Sequence, residues 1–141
     1  MKKKVTVFLL AILIIVSSAV PVLASIMQHD EKIVISPMFT YIFDTKARLY
    51  INSNGEAIVE TSLTGNSYVT STYATIRLQQ YKDGKWTTIK TWYESSDSRI
   101  LKFSSSYSVS SGYDYRVQSI VIAYSGTQAE SATVTSSSQR Y

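Results

Sequence analysis

The side chains that could do chemistry in this chain are few, and they stand apart. His29 is the single histidine, and there is no cysteine. A serine nucleophile would have to recruit His29 as its base, and with serines spread along the whole chain none is singled out as its partner. Without thiols there is neither a thiolate nucleophile nor a thiolate metal site. Asp30 and Glu31 are adjacent, but a hard cation needs converging carboxylates, and the other acids fall singly in turns or on strand faces. Glu56 and Glu60 share a strand face near Arg48, the arrangement of a solvated sheet rather than of two carboxyls flanking a glycosidic bond. No Gly-rich phosphate loop occurs. The expectation is a protein without catalytic residues, bound metal or cofactor.

One set of side chains rises above this background: Tyr73, Tyr81, Trp86 and Trp92, which fall on the outward row of a predicted hairpin. A flat row of this kind can stack on sugar rings or anchor a protein contact, including one with a second copy. Cross-strand aromatic pairs also stabilise a hairpin without any ligand. These four residues are the candidate binding site.

The elements that must position them follow from period-two alternation. Composition favours strands: Tyr (11 of 141 residues), Ser, Thr, Val and Ile dominate, and Ala and Leu are few. After residue 25 no apolar stripe of helical period is sustained, while turn signals recur about every ten residues, as in a sandwich or barrel. The predicted elements begin with a flexible segment, 25–37, stopped by Pro37, and a short strand over Phe39–Phe43. A second strand follows over Ala47–Ile51. A three-residue turn, Ser53–Asn54–Gly55, sets Ile51 opposite Ala57, Leu49 opposite Val59 and Arg48 opposite Glu60, and places Gly55 at the left-handed bulge position. A two-residue turn would mix the faces.

Tyr73–Tyr81 and Trp86–Tyr93 form the next hairpin around Asp83–Gly84, with Tyr81 facing Trp86, Leu78 facing Ile89 and Thr75 facing Trp92. Its one flaw is Arg77 opposite Lys90, a like-charge pair; a one-residue slip would bury both. Ile100–Phe103 is a short strand, and the serine-rich run Ser104–Gly112 is a crossover. Tyr113–Tyr124 is a long strand with Val117, Val121 and Ala123 inward and Ile120, Ile122 and Tyr124 outward. Ser125–Thr127 turns into a last strand over Ala129–Thr135, with the chain frayed from Ser136. The total is an antiparallel β-sandwich of about seven strands over residues 38–141, with an immunoglobulin-like or fibronectin-III-like layout and a tyrosine-corner candidate at Tyr113–Tyr115.

Residues 1–24 read as a signal peptide. Lys2, Lys3 and Lys4 precede the apolar run Val5–Val16, and Val22-Leu23-Ala24 offers small residues at −3 and −1 of a cut between Ala24 and Ser25. The alternative is an uncleaved N-terminal membrane anchor outside the cell, since Val5–Ala24 is just long enough to span a bilayer. Removing the leader leaves 11 basic against 10 acidic residues, a net charge of +1 instead of +4. The remaining cations are interspersed with acids, so nucleic acid is excluded as a partner. A cysteine-free exported domain with a short lysine-led leader points to a bacterial source.

Several stretches carry a resemblance: the leader, Pro37-Met38-Phe39-Thr40-Tyr41-Ile42, Gly55-Glu56-Ala57, Lys85-Trp86 with Trp92, and Tyr115-Arg116-Val117 followed by Tyr124-Ser125-Gly126-Thr127-Gln128-Ala129-Glu130. In these the chain is similar to small secreted proteins of clostridia and related Gram-positive bacteria that have no assigned function. The resemblance covers nearly all of Ser25–Tyr141 and implies the fold and the compartment, but no catalytic residue. The expectation is a secreted, non-catalytic binding or interaction module whose partner is an extracellular protein or a cell-surface glycan, with self-association as a further possibility. The alternative is a secreted bacteriocin-like or toxin-like effector.

Overall fold

The computed structural model describes residues 38–141. The leader, the Ala24–Ser25 cleavage position, His29 and the 25–37 segment lie outside the described residues. Over 38–141 the chain is all-β, with two antiparallel sheets and no helix. The strands are β1 (Ile42–Ile51), β2 (Glu56–Gly65), β3 (Ser71–Lys82), β4 (Lys85–Ser96), β5 (Ile100–Ser108), β6 (Asp114–Ser125), β7 (Gln128–Thr135) and the two-residue β8 (Gln139–Arg140). One sheet has the order β1-β2-β5, and the other β4-β3-β6-β7, with β8 also paired to β6. Because β5 leaves its sequence neighbour β4 to pair with β2, the chain passes between the sheets three times, after β2, β4 and β5, and closes a sandwich.

Alternation along each strand fills the space between the sheets. Ala57, Val59 and Leu63 of β2 and Leu101 of β5 face Ala74, Ile76 and Leu78 of β3 and Tyr115, Val117, Val121 and Ala123 of β6, all of them almost wholly buried. Two hydroxyls share that interior, Thr61 and Ser119, and they satisfy each other at 2.7 Å. The first hairpin has the register its residues predict: Ile51 pairs with Ala57, Leu49 with Val59 and Arg48 with Glu60. Gly55 has φ +77°, and a Cβ there would lie 2.8 Å from the Tyr141 ring and 2.9 Å from the Val109 carbonyl. Only glycine fits that turn.

Three expectations need correction. The two short strands at 39–43 and 47–51 are one strand; β1 runs from Ile42 through Asp44 and Lys46, with a bulge between Ile42 and Asp44, and Phe39 lies before it. The serine run is not a crossover throughout, since β5 continues to Ser108. Ser104, Ser105, Ser106 and Ser108 lie in the strand because each is paired with a residue of β2, which overrides their weak intrinsic preference.

The C-terminus, third, is tied down rather than frayed. Val117 N–H donates to Ser136 Oγ and Ser136 N–H to Val117 O. Gln139 bridges Ile51, accepting from its N–H at 2.9 Å and donating to its carbonyl at 3.1 Å. Tyr141 packs on the core beside Gly55.

The edge where β1 meets β7 is closed by a carboxylate. Glu130 accepts the backbone N–H groups of Thr40, Tyr41 and Ile42, each at 2.7 Å, and the Tyr41 hydroxyl bonds Gln128. Partial desolvation pushes the Glu130 pKa up, but the three amide donors outweigh it and hold the carboxyl below its ordinary value. The clamp joins Thr40–Ile42 to Gln128–Glu130, two stretches 90 residues apart at their extremes.

Candidate functional site

The four aromatic residues do not share one face. Tyr81 pairs with Trp86 as expected, and the turn between them is Asp83–Gly84 with φ of 53° and 78°. Past that point the strand departs from a uniform ladder. Gln79 pairs with Thr88 but Leu78 pairs with Lys90, leaving Ile89 as the extra residue of a bulge. Every later position on β4 is shifted by one, so Arg77 meets Thr91, Ile76 meets Trp92 and Thr75 meets Tyr93. The bulge removes the Arg77–Lys90 repulsion without burying either charge.

Its consequence is that Trp92 faces the interior. Trp92 packs against the core, with its ring 5.9 Å from Phe103 and 6.4 Å from Tyr107 on the opposite sheet. Lys90 lies 5.8 Å over Trp92 and 5.9 Å over Tyr107, on the same side. Trp92 therefore leaves the candidate site and joins the structural set. Its place on the outer face is taken by Tyr93, 67% exposed, which the unbroken register had turned inward. The only sign of this in the sequence is the Arg77–Lys90 clash.

The other three residues do share the outer face of the five-stranded sheet. At one end the Tyr81 and Trp86 rings pack at a tilt, with centroids 5.2 Å apart and planes at 55°. Arg116, on β6 opposite Gln79, lays its guanidinium 4.2 Å over the Trp86 ring. Its Nε donates to Gln79 Oε1 at 2.9 Å, and Gln79 is itself buried and reaches Thr88. The cluster is held by packing and hydrogen bonds rather than hanging free.

Towards the other end, Tyr73 pairs with Ile122 and Ser95, and Thr75 with Ile120 and Tyr93. Ile120, Ile122 and Tyr124 are half-buried on alternate positions, outward as expected, with Thr133 and Ser131 of β7 beside them. An apolar and aromatic band thus crosses three strands.

A second concavity, about 440 Å³, lies on the three-stranded sheet among Lys46, Arg48, Glu60, Ser62, Lys102 and Ser104. Its cations are offset by Glu60, and by Asp44 bonded to Lys46 at 2.9 Å. Most of its lining is exposed, and its one buried polar side chain, Thr61, is already engaged by Ser119, so it offers little to orient a ligand. Glu56 and Glu60 stand four residues apart on β2, about 13 Å, beyond the roughly 9.5 Å that even inverting glycosidases use. Among the described residues no group of three or more His, Asp or Glu converges as metal ligands.

No protein-family model matches this chain, and no curated protein matches it.

Proposed function

We propose that the protein is an exported, non-catalytic binding module, and that its binding surface is the outer face of the five-stranded sheet. The observation that carries this is the Tyr81–Trp86–Arg116 cluster, continued by Tyr73, Tyr93, Ile120, Ile122 and Tyr124. Tyr, Trp and Arg are the residue types that dominate interface energetics, and pre-ordered ones lose little entropy on binding. A protein partner fits this surface better than a glycan. Sugar stacking needs an open aromatic face, while the Arg116 guanidinium already covers one face of Trp86, and Ile120 and Ile122 make part of the band aliphatic.

The sandwich is of the immunoglobulin and fibronectin-III type in this reading. Two features support it: the strand order, with β4 beside β3, and Tyr115, which is fully buried and donates its hydroxyl to the Ser110 carbonyl at 2.6 Å just before β6. The leader makes the module extracellular. Protein collected from the medium of an exporting host should begin at Ser25, whereas retention of residues 1–24 in the membrane fraction would show an anchor instead.

Binding to isolated bacterial envelopes, with and without protease treatment, tests the partner class. The proposal expects retention that protease abolishes. Retention surviving protease would shift the partner to a glycan, and no retention on either would count against an envelope protein as the partner.

A further inference from the structure

Each edge strand but one carries a device that discourages further pairing. On β1 these are the bulge, the Glu130 clamp on its first N–H groups and the Gln139 amide on Ile51. β4 has its own bulge and Lys90, which points inward over the aromatic rings. β7 is short, and its inward Glu130 is engaged with β1. β5 has no bulge against β2, no proline and, from Phe103 to Ser108, no charge.

Its free groups can be identified from parity. In an antiparallel ladder, alternate residues point both backbone groups at the partner and the rest point away. Gly65 N–H donates to Arg99 O, and Val109 N–H to Gly55 O. Both bonds fit the β2–β5 register and place odd-numbered residues on the β2 side. The Ser98 hydroxyl, which takes the Ile100 N–H and donates to the Ile100 carbonyl, agrees from the other side. The N–H and C=O groups of Lys102, Ser104, Ser106 and Ser108 therefore face outward. Among the described residues no hydrogen bond reaches them, and all four residues are exposed.

We infer that β5 is a pairing edge whose occupant is β5 of a second copy of this chain, antiparallel about a two-fold axis through Ser105. That register sets Lys102 opposite Ser108 and Ser104 opposite Ser106, using all four free residues and forming about eight backbone hydrogen bonds. It keeps the two Lys102 side chains apart and brings Phe103 of each copy against Tyr107 of the other, a favourable cross-strand pair. The strand is thus complementary to itself, as an isologous interface requires. The segment before β1 starts on the far side of β2, at the edge that Glu130 closes, so a second copy is the better-placed occupant.

Sedimentation velocity on the purified protein over a concentration series should show a monomer–dimer equilibrium. Ser104→Lys with Ser106→Lys places like charges opposite each other and should raise the dimer dissociation constant about tenfold or more. Ser104→Lys with Ser106→Glu pairs opposite charges and should restore the dimer. Ser105→Cys, the only thiol in the chain, would sit opposite its own copy at about 4.5 Å between Cα atoms and should oxidise to a covalent dimer, while Ser108→Cys should not. A wild-type chain that stays monomeric, or a dimer indifferent to both charge pairs and to the position of the cysteine, overturns the proposal.

Discussion

At the scale of single residues, a few polar groups tie distant parts of the chain together. Glu130 is the clearest. Its folded pKa lies below the ordinary 4.5, so between the two values the unfolded chain binds more protons than the folded one. Its contribution is present above the ordinary value and is lost as pH falls through the folded one. Replacing Glu130 with Gln should cost about 1–2 kcal/mol near neutral pH. Denaturant titrations of the two proteins should converge only as pH falls through the folded value, which lies below 4.5. Tyr115 is a second such group: its hydroxyl donates to Ser110 O and accepts from Gln80 Nε2 at 2.9 Å, in a fully buried position. Tyr115→Phe keeps the ring but orphans both partners, and should cost about 1–3 kcal/mol in urea unfolding. Neither role follows from neighbouring residues, because both depend on partners brought close by the fold.

At the scale of elements, the bulge in β4 decides which tryptophan is structural. Trp92→Ala should lower stability by about 2–3 kcal/mol, because it opens a void between Phe103, Tyr107 and Ile76. Trp86→Ala should cost about 1 kcal/mol or less, the worth of an aromatic pair and a cation–π contact at the surface. Paired thermal melts of the two variants check this; equal losses would mean an unbroken register. Strand identity and the first hairpin were legible in the sequence because burying one face leaves a single acceptable register, and Gly55 marks its turn. The bulge was not, because one extra residue leaves the local alternation intact on either side. Only the Arg77–Lys90 conflict hinted at it, and weighing uniform ladders against each other could not resolve that conflict. The sequence reads β5 as shorter than it is because serines resemble loop in composition, and the pairing partner that makes them strand lies some 40 residues earlier.

At the scale of the molecule, a sandwich without disulfides keeps its two ends in the structure. The first strand is held by Glu130, and the last residues by Gln139 and Tyr141 across β1 and the Gly55 turn. Deleting Ser138–Tyr141 removes β8, frees both backbone groups of Ile51 and uncovers Gly55. It should lower the melting temperature by about 4–8 °C per kcal/mol lost, and amide exchange at Ile51 should rise with it. With the ends closed, the two outer faces remain as surfaces for function. The most direct test compares them by retention on untreated envelopes at matched stability. Trp86→Ala and Tyr93→Ala on the five-stranded sheet should abolish retention, while Tyr50→Ala, 60% exposed on the three-stranded sheet, should leave it unchanged. Retention that survives the first two substitutions and disappears with the third would contradict the account.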